Sequence, residues 1–227
     1  MKRRYKLLLI ILIGAIFTIL INSTSIENKI SLVAIGDGVS LGMTAYQMVG
    51  YSYNDYLGEY YAGKNMLQSY NNEFSIEHLT MEELYDILEE NKVGQKSKVP
   101  IKQTLAKADV ITINIGMDEF IDLTIKKRLN EDKLEEYLLC YSKILENIRV
   151  FYDKEIIVVG LYPIYDLEKN TVYDINQKIQ SITSANKAKF LDIMALSLNP
   201  EYYVDETSYY MNYKGHKAIY NQLLKLL

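Results

Sequence analysis

Few side chains in this 227-residue chain can do chemistry, and the most versatile is nearly absent. There are two histidines, His78 and His216, and one cysteine, Cys140. A hydroxyl or thiol nucleophile needs a base to take its proton, most often an imidazole. His78 precedes Thr80 in a polar stretch and reads as a loop residue. His216 reads as a packed or surface residue of the last helix, and Cys140 as a partly buried thiol in the middle of a long helix. Ser40 is a candidate nucleophile by type, but it reads as a capping or turn residue. Acidic residues are more plentiful. Asp37, Asp118, Glu119, Asp205 and Glu206 stand where apolar runs end or helices begin, so each can cap a helix or join a set that holds a divalent cation or a cationic ligand. Capping accounts for most of them, so no metal site and no cofactor is assigned. Tyrosine is the commonest aromatic, 21 residues against 5 Phe and no Trp. It clusters in Gly50–Tyr61 and Glu201–Tyr213, two segments able to stack on and hydrogen-bond a sugar.

The elements that must position these residues follow from the apolar runs. Ile30–Ile35 and Val110–Ile115 are short, β-branched and followed by glycine, and Ile156–Leu161 is stopped by Tyr162-Pro163. All three read as fully buried strands. Lys189–Ile193 is a further short strand. Helices are expected over Tyr53–Tyr61, Thr80–Asn91, Pro100–Ala108, Glu131–Val150, Ile175–Ala188 and Lys214–Leu226. Thr80 and Glu83 form a capping box. The long helix carries an apolar stripe of Leu134, Leu138, Tyr141, Leu145 and Ile148. Apolar strands separated by helices predict a parallel sheet covered on both faces, with the functional loops beyond the carboxyl ends of its strands.

The first residues form a separate unit. Lys2, Arg3, Arg4 and Lys6 precede an uncharged apolar run from Leu7 to Ile21, the pattern of a signal anchor or a secretory signal. As a helix the run would cover roughly 22 Å, short of the ~30 Å hydrocarbon core, so snorkelling of its polar flanks has to supply the rest. Residues 1–22 are therefore expected to be an anchor or signal peptide, 23–29 a tether and 30–227 one domain. The location expected is the cell membrane, single-pass with the domain outside the cytoplasm, or else a secreted protein. Without the four leading cations, 21 Lys and Arg face 29 Asp and Glu. That excess of acid argues against nucleic acid as a partner and against attraction of the domain to an anionic membrane.

Four blocks of text in order resemble the SGNH/GDSL hydrolases: Val33–Gly42 (VAIGDGVSLG), Ala108–Phe120 (ADVITINIGMDEF), Ile156–Ile164 (IIVVGLYPI) and Met211–Leu224 (MNYKGHKAIYNQLL). The resemblance implies a three-layer α/β/α fold with a flavodoxin-like parallel sheet, preceded here by one N-terminal hydrophobic helix. It also implies a cleft containing Asp37, Gly38, Gly116, Asp118, Glu119 and Tyr210. It implies esterase or acylhydrolase chemistry, yet the letters that perform it differ. Gly38 stands where the family has its serine, Asp118 where it has the oxyanion-hole asparagine, Tyr210 where it has histidine and Thr207 where it has that histidine's aspartate. No glycine occupies the second block, Phe74–Leu79. A protein that binds an envelope carbohydrate or lipid without cleaving it is expected. The alternative is an active or rewired esterase using Ser40 or an acidic water-activating site.

Overall fold

The computed structural model describes residues 29–164, 169–205 and 208–227. The run on which the anchor expectation rests lies outside them, as do Glu206 and Thr207. Among the described residues no helix is long and apolar enough to cross a membrane.

Five strands make one parallel sheet in the order β2-β1-β3-β4-β5. They are β1 (Ile30–Gly36), β2 (Leu67–Ser75), β3 (Val110–Asn114), β4 (Glu155–Val159) and β5 (Lys189–Leu191). The central strands are buried almost throughout, because helices cover both faces and leave neither open to solvent. Among the described residues eight α-helices surround the sheet: α1 (Gly38–Leu41), α2 (Tyr53–Gly63), α3 (Met81–Glu89), α4 (Ile101–Ala106), α5 (Met117–Ile125), α6 (Glu131–Arg149), α7 (Lys169–Ala185) and α8 (Tyr213–Leu223). On one face α2 packs against α8, with Tyr56 and Tyr60 against the Tyr220 ring; α3, α6 and α7 pack in series on the other.

The structure adds one strand and moves the bounds of several expected elements. The strand β2 had no apolar signature. It is an edge strand in which only Phe74 and Ser75 are buried, so its sequence LQSYNNEFS carries little of the hydrophobic pattern that marks strands. The helix expected over Ile175–Ala188 is α7, which begins at Lys169 and ends at Ala185. Lys187 turns left-handed (φ 53°) to feed the chain into β5, so the helix stops three residues early. The expected strands at Val110–Ile115, Ile156–Leu161 and Lys189–Ile193 each end one or two residues sooner.

The chain runs outward from β1 to β2, then crosses back past β1 to β3 and builds the sheet outward on the other side, so the switch point of the sheet lies between β1 and β3. A crevice opens there beyond the carboxyl ends of the strands. Gly36 makes that point possible. Its φ is +145°, and a Cβ would sit 1.8 Å from the Asn114 carbonyl oxygen, a position only glycine can fill.

Candidate functional site

Asp37 closes β1 and opens α1. One oxygen of its carboxylate accepts from the Val39 N–H (3.3 Å) and the other from the Asp118 N–H (3.0 Å), so one buried side chain fastens the first turns of α1 and α5 together. Burial pushes its pKa well above the usual carboxylate range, and the nearby Asp118 charge pushes the same way.

Asp118 stands at the start of α5. Its Oδ2 accepts from the backbone N–H groups of Gly38 and His78, both at 3.0 Å. Its Oδ1 accepts from the Tyr210 hydroxyl at 2.7 Å. Gly38 and Asp118, from the blocks Val33–Gly42 and Ala108–Phe120, and Tyr210, just before the block Met211–Leu224, therefore meet at one carboxylate. Gly38 has no room for a side chain while that carboxylate is there. A Cβ on it would lie 2.8 and 2.9 Å from the two Asp118 oxygens and 3.0 Å from Met43 Cγ.

His78 was read as a loop residue without a role. The structure puts it at φ +59°, a conformation that glycine adopts most easily, with its N–H aimed at Asp118. It stands in the block whose glycine is missing, and it delivers the backbone donor all the same. Its imidazole is exposed, 3.8 Å from Asp118 Oδ2 and 3.6 Å from Glu77. Residue type gave no sign of this, because the role depends on the backbone; the capping box two residues later was the one available marker of a tight turn.

Asp118, His78 and Tyr210 line the floor of a cleft of about 510 Å³, whereas Asp37 and Gly38, expected in it, are buried behind Asp118 and do not line it. The segment Met43–Val49 supplies one wall through Met43, Ala45 and Gln47, and Ser208–Tyr210 supplies another. Glu77, Asp118, Asp122 and Asp205 are its carboxylates, and no Lys or Arg lines it among the described residues.

The other candidates lie elsewhere. Ser40 is fully buried behind the cleft, its hydroxyl 2.9 Å from that of Ser75 and 3.3 Å from the Asn54 amide. Glu119 was expected in the cleft beside Asp118. One helical residue turns a side chain by about 100°, so Glu119 points to α3 and accepts from the Met81 N–H at 3.3 Å. It lines a separate hollow with Cys140, whose thiol burial pushes up to about 11. Gly116 lies behind the floor; it starts α5 at φ +92°, and a Cβ there would meet the Tyr137 hydroxyl at 2.4 Å. His216 is buried on α8 beneath the cleft wall, its Nε2 hydrogen-bonded to the Met43 carbonyl at 2.9 Å. Burial lowers its pKa and keeps it neutral. Among the described residues no three His, Cys, Asp or Glu side chains are placed to share a metal ion.

The chemistry of this floor differs from that of a serine esterase. Acyl transfer needs a nucleophile and a base, and N–H donors directed at the oxyanion. Two N–H donors are present, but Asp118 occupies them with a negative charge of its own. Position 38 has nothing to attack with. Burial, and then the Asp118 charge, raise the pKa of the Tyr210 phenol, which makes the phenolate needed for a base still scarcer.

No protein-family model matches the sequence, and no curated protein does. Solved structures do match. An acetylxylan esterase from Geobacillus stearothermophilus is 17% identical, with 88% of this chain and 95% of that one covered at a TM-score of 0.64. A lipase/acylhydrolase from Enterococcus faecalis is 12% identical (86% and 94% covered, TM-score 0.61). A psychrotrophic esterase from Pseudoalteromonas sp. is 10% identical, with the same coverage and TM-score. The sheet order, the switch-point cleft and these likenesses agree: the chain has the fold of the SGNH/GDSL hydrolases.

Proposed function

We propose that the protein is a membrane-tethered, extracytoplasmic SGNH-fold protein that binds a cell-envelope carbohydrate or lipid in its cleft and does not hydrolyse it by the serine route. One observation carries this reading. The Asp118 carboxylate accepts from both backbone donors of the cleft floor and from Tyr210, and fills the space a side chain at position 38 would need. A substrate carbonyl would have to displace a held anion to reach those donors. The rewired route through Ser40 loses support for a separate reason, since that hydroxyl is buried among Ser75 and Asn54.

The cleft itself remains open. Its carboxylates accept hydrogen bonds from hydroxyl or amine groups, and the absence of lining Lys or Arg among the described residues disfavours a phosphate-bearing head group. Tyr209 and Tyr210, from one of the two tyrosine-rich segments, line the cleft and suit a sugar; the other segment, Gly50–Tyr61, supplies no lining residue and packs Tyr56 and Tyr60 against α8. The structural neighbours include an enzyme named for acetylated xylan, so acetylated xylo-oligosaccharides and glucosamine oligosaccharides are the first probes.

The test pairs turnover with binding. The full chain is incubated with p-nitrophenyl acetate and with a fluorophosphonate probe, and the oligosaccharides are titrated by calorimetry. The expected result is no turnover above buffer, no labelling, and saturable binding of an oligosaccharide that weakens at least about tenfold in Asp122→Lys. Turnover or labelling abolished by Ser40→Ala overturns the reading.

A further inference from the structure

The sequence suggests a uniformly acidic domain, but the fold sorts its charges. In a parallel sheet every strand begins at the same pole, and the helices that lead into the strands end there. Arg149, at the end of α6, donates to the carbonyls of Tyr152, Lys154, Asn186 and Lys187 at 2.7 to 3.1 Å, fastening the loops before β4 and β5. Lys154 reaches the Ala108 carbonyl and Asp109 just before β3, and Lys189 pairs with Glu155 and the Leu226 carbonyl. Lys29 lies beside Asn65 at the entrance to β1. These contacts gather residues scattered over the chain onto one surface. Lys64, Lys107, Lys187 and Lys225 end helices on the same surface and are exposed. Its carboxylates are Asp109 and Glu155, both paired with lysines, and Asp153; Glu89 and Glu90 lie on the flank, where Glu89 meets Asn147 and Glu90 pairs with Lys92. Eight cations thus face three acids, with Glu89, Glu90 and Glu146, the last in the final turn of α6, on the flank, on a domain whose total is strongly negative. Val150, 86% exposed, follows Arg149 at this surface, with Phe151 next to it.

We propose that this basic pole, at the amino ends of the strands, rests on an anionic lipid surface and holds the cleft pointing away from the bilayer. Cations at helix ends also offset helix dipoles, but that role requires neither an exposed valine nor lysines at the strand starts. A lipid surface is favoured over other polyanions because β1 enters at this pole, seven residues after the basic–apolar segment ends, and because an exposed aliphatic side chain among lysines suits a head-group boundary. The orientation rests on the tether of the proposed function; the lipid contact does not.

The test uses the full chain reconstituted in vesicles, with an environment-sensitive thiol label on Val150→Cys in a Cys140→Ser background and a second label on Ser208→Cys at the cleft. The label at 150 is expected to shift to the blue in vesicles containing phosphatidylglycerol but not in phosphatidylcholine, to return on adding salt, and to fail in Lys107→Glu/Lys187→Glu/Lys225→Glu. The label at 208 is expected to stay aqueous in both. An unresponsive label at 150, a response at 208 in its place, or a larger response to soluble polyphosphate than to vesicles overturns the proposal. Retention on phosphatidylcholine vesicles through a high-salt wash reports the tether separately. If the chain washes off while label 150 still responds to anionic vesicles, the tether has failed and the basic pole stands.

Discussion

At the scale of single residues, Asp118 and Gly38 are sterically one unit. The carboxylate takes the volume of the missing side chain, so replacing either alone meets the other. Gly38→Ser is expected to destabilise the fold by about 1–3 kcal/mol through overpacking and to cost much less in an Asp118→Ala background. A double-mutant cycle of urea unfolding measures that coupling, and additive effects would refute it. Tyr210→Phe removes one hydrogen bond to a charged group and should cost about 1.5–3 kcal/mol in the same assay. Two buried groups give stability a pH dependence of opposite sign. Asp37 has a raised pKa in the fold. It therefore works against the fold at neutral pH, and stability is recovered as pH falls through the folded value toward the unfolded one near 4. His216 has a lowered pKa, so its contribution is complete above about 6.5 and is lost as pH falls below that. Between pH 7.5 and 5.5, His216→Gln should lose less stability than the parent chain, whereas Asp37→Asn should lose more. Urea midpoints at the two pH values check both signs.

At the scale of elements, the legible parts were those whose burial leaves a pattern. The strands β1, β3 and β4 are mostly apolar and buried almost throughout, and the capping box at Thr80 marks the start of α3 as the structure has it. Thr80→Ala should cost about 1 kcal/mol, read as a lower urea midpoint. The polar strand β2 escaped notice because an edge strand needs few apolar residues. What holds its end is a carboxylate. Glu73 accepts from the Ser97 and Lys96 N–H groups, the Ser97 hydroxyl and the Asn71 amide. Partial burial pushes its pKa up, but these bonds outweigh it and hold the group at about 2. Glu73→Ala should speed hydrogen exchange at Lys96 and Ser97 while leaving the β1–β3 amides protected; unchanged exchange at 96 and 97 would count against the clasp. For the site, the sequence blocks were enough to bring positions 38, 118 and 210 together. The left-handed turn at His78 and the steric exclusion at Gly38 were not legible, because a positive φ and an interatomic distance belong to tertiary structure rather than to residue type. Glu119 was misplaced for a simpler reason, since neighbours in sequence at the start of a helix face different ways.

At the scale of the whole molecule, the expected location is open to direct measurement. The full chain expressed in a bacterium should sediment with membranes, resist extraction by salt, and be digested by protease added outside the cytoplasmic membrane. Recovery in the cytosolic fraction would end the extracytoplasmic reading. The parallel sheet adds a quantity to that picture. Its chain entrance and its cleft lie at opposite poles, so the folded body acts as a spacer. A domain of about 200 residues has a radius of gyration near 16 Å and a width of about 40 Å, and a seven-residue tether extends at most about 25 Å. A domain standing on its basic pole would hold the cleft at about 40 Å above the bilayer surface, and one at full stretch near 65 Å. On the proposed tether, the fold would act as a ruler, and the layer of the envelope found within that interval would limit which molecules the cleft can meet.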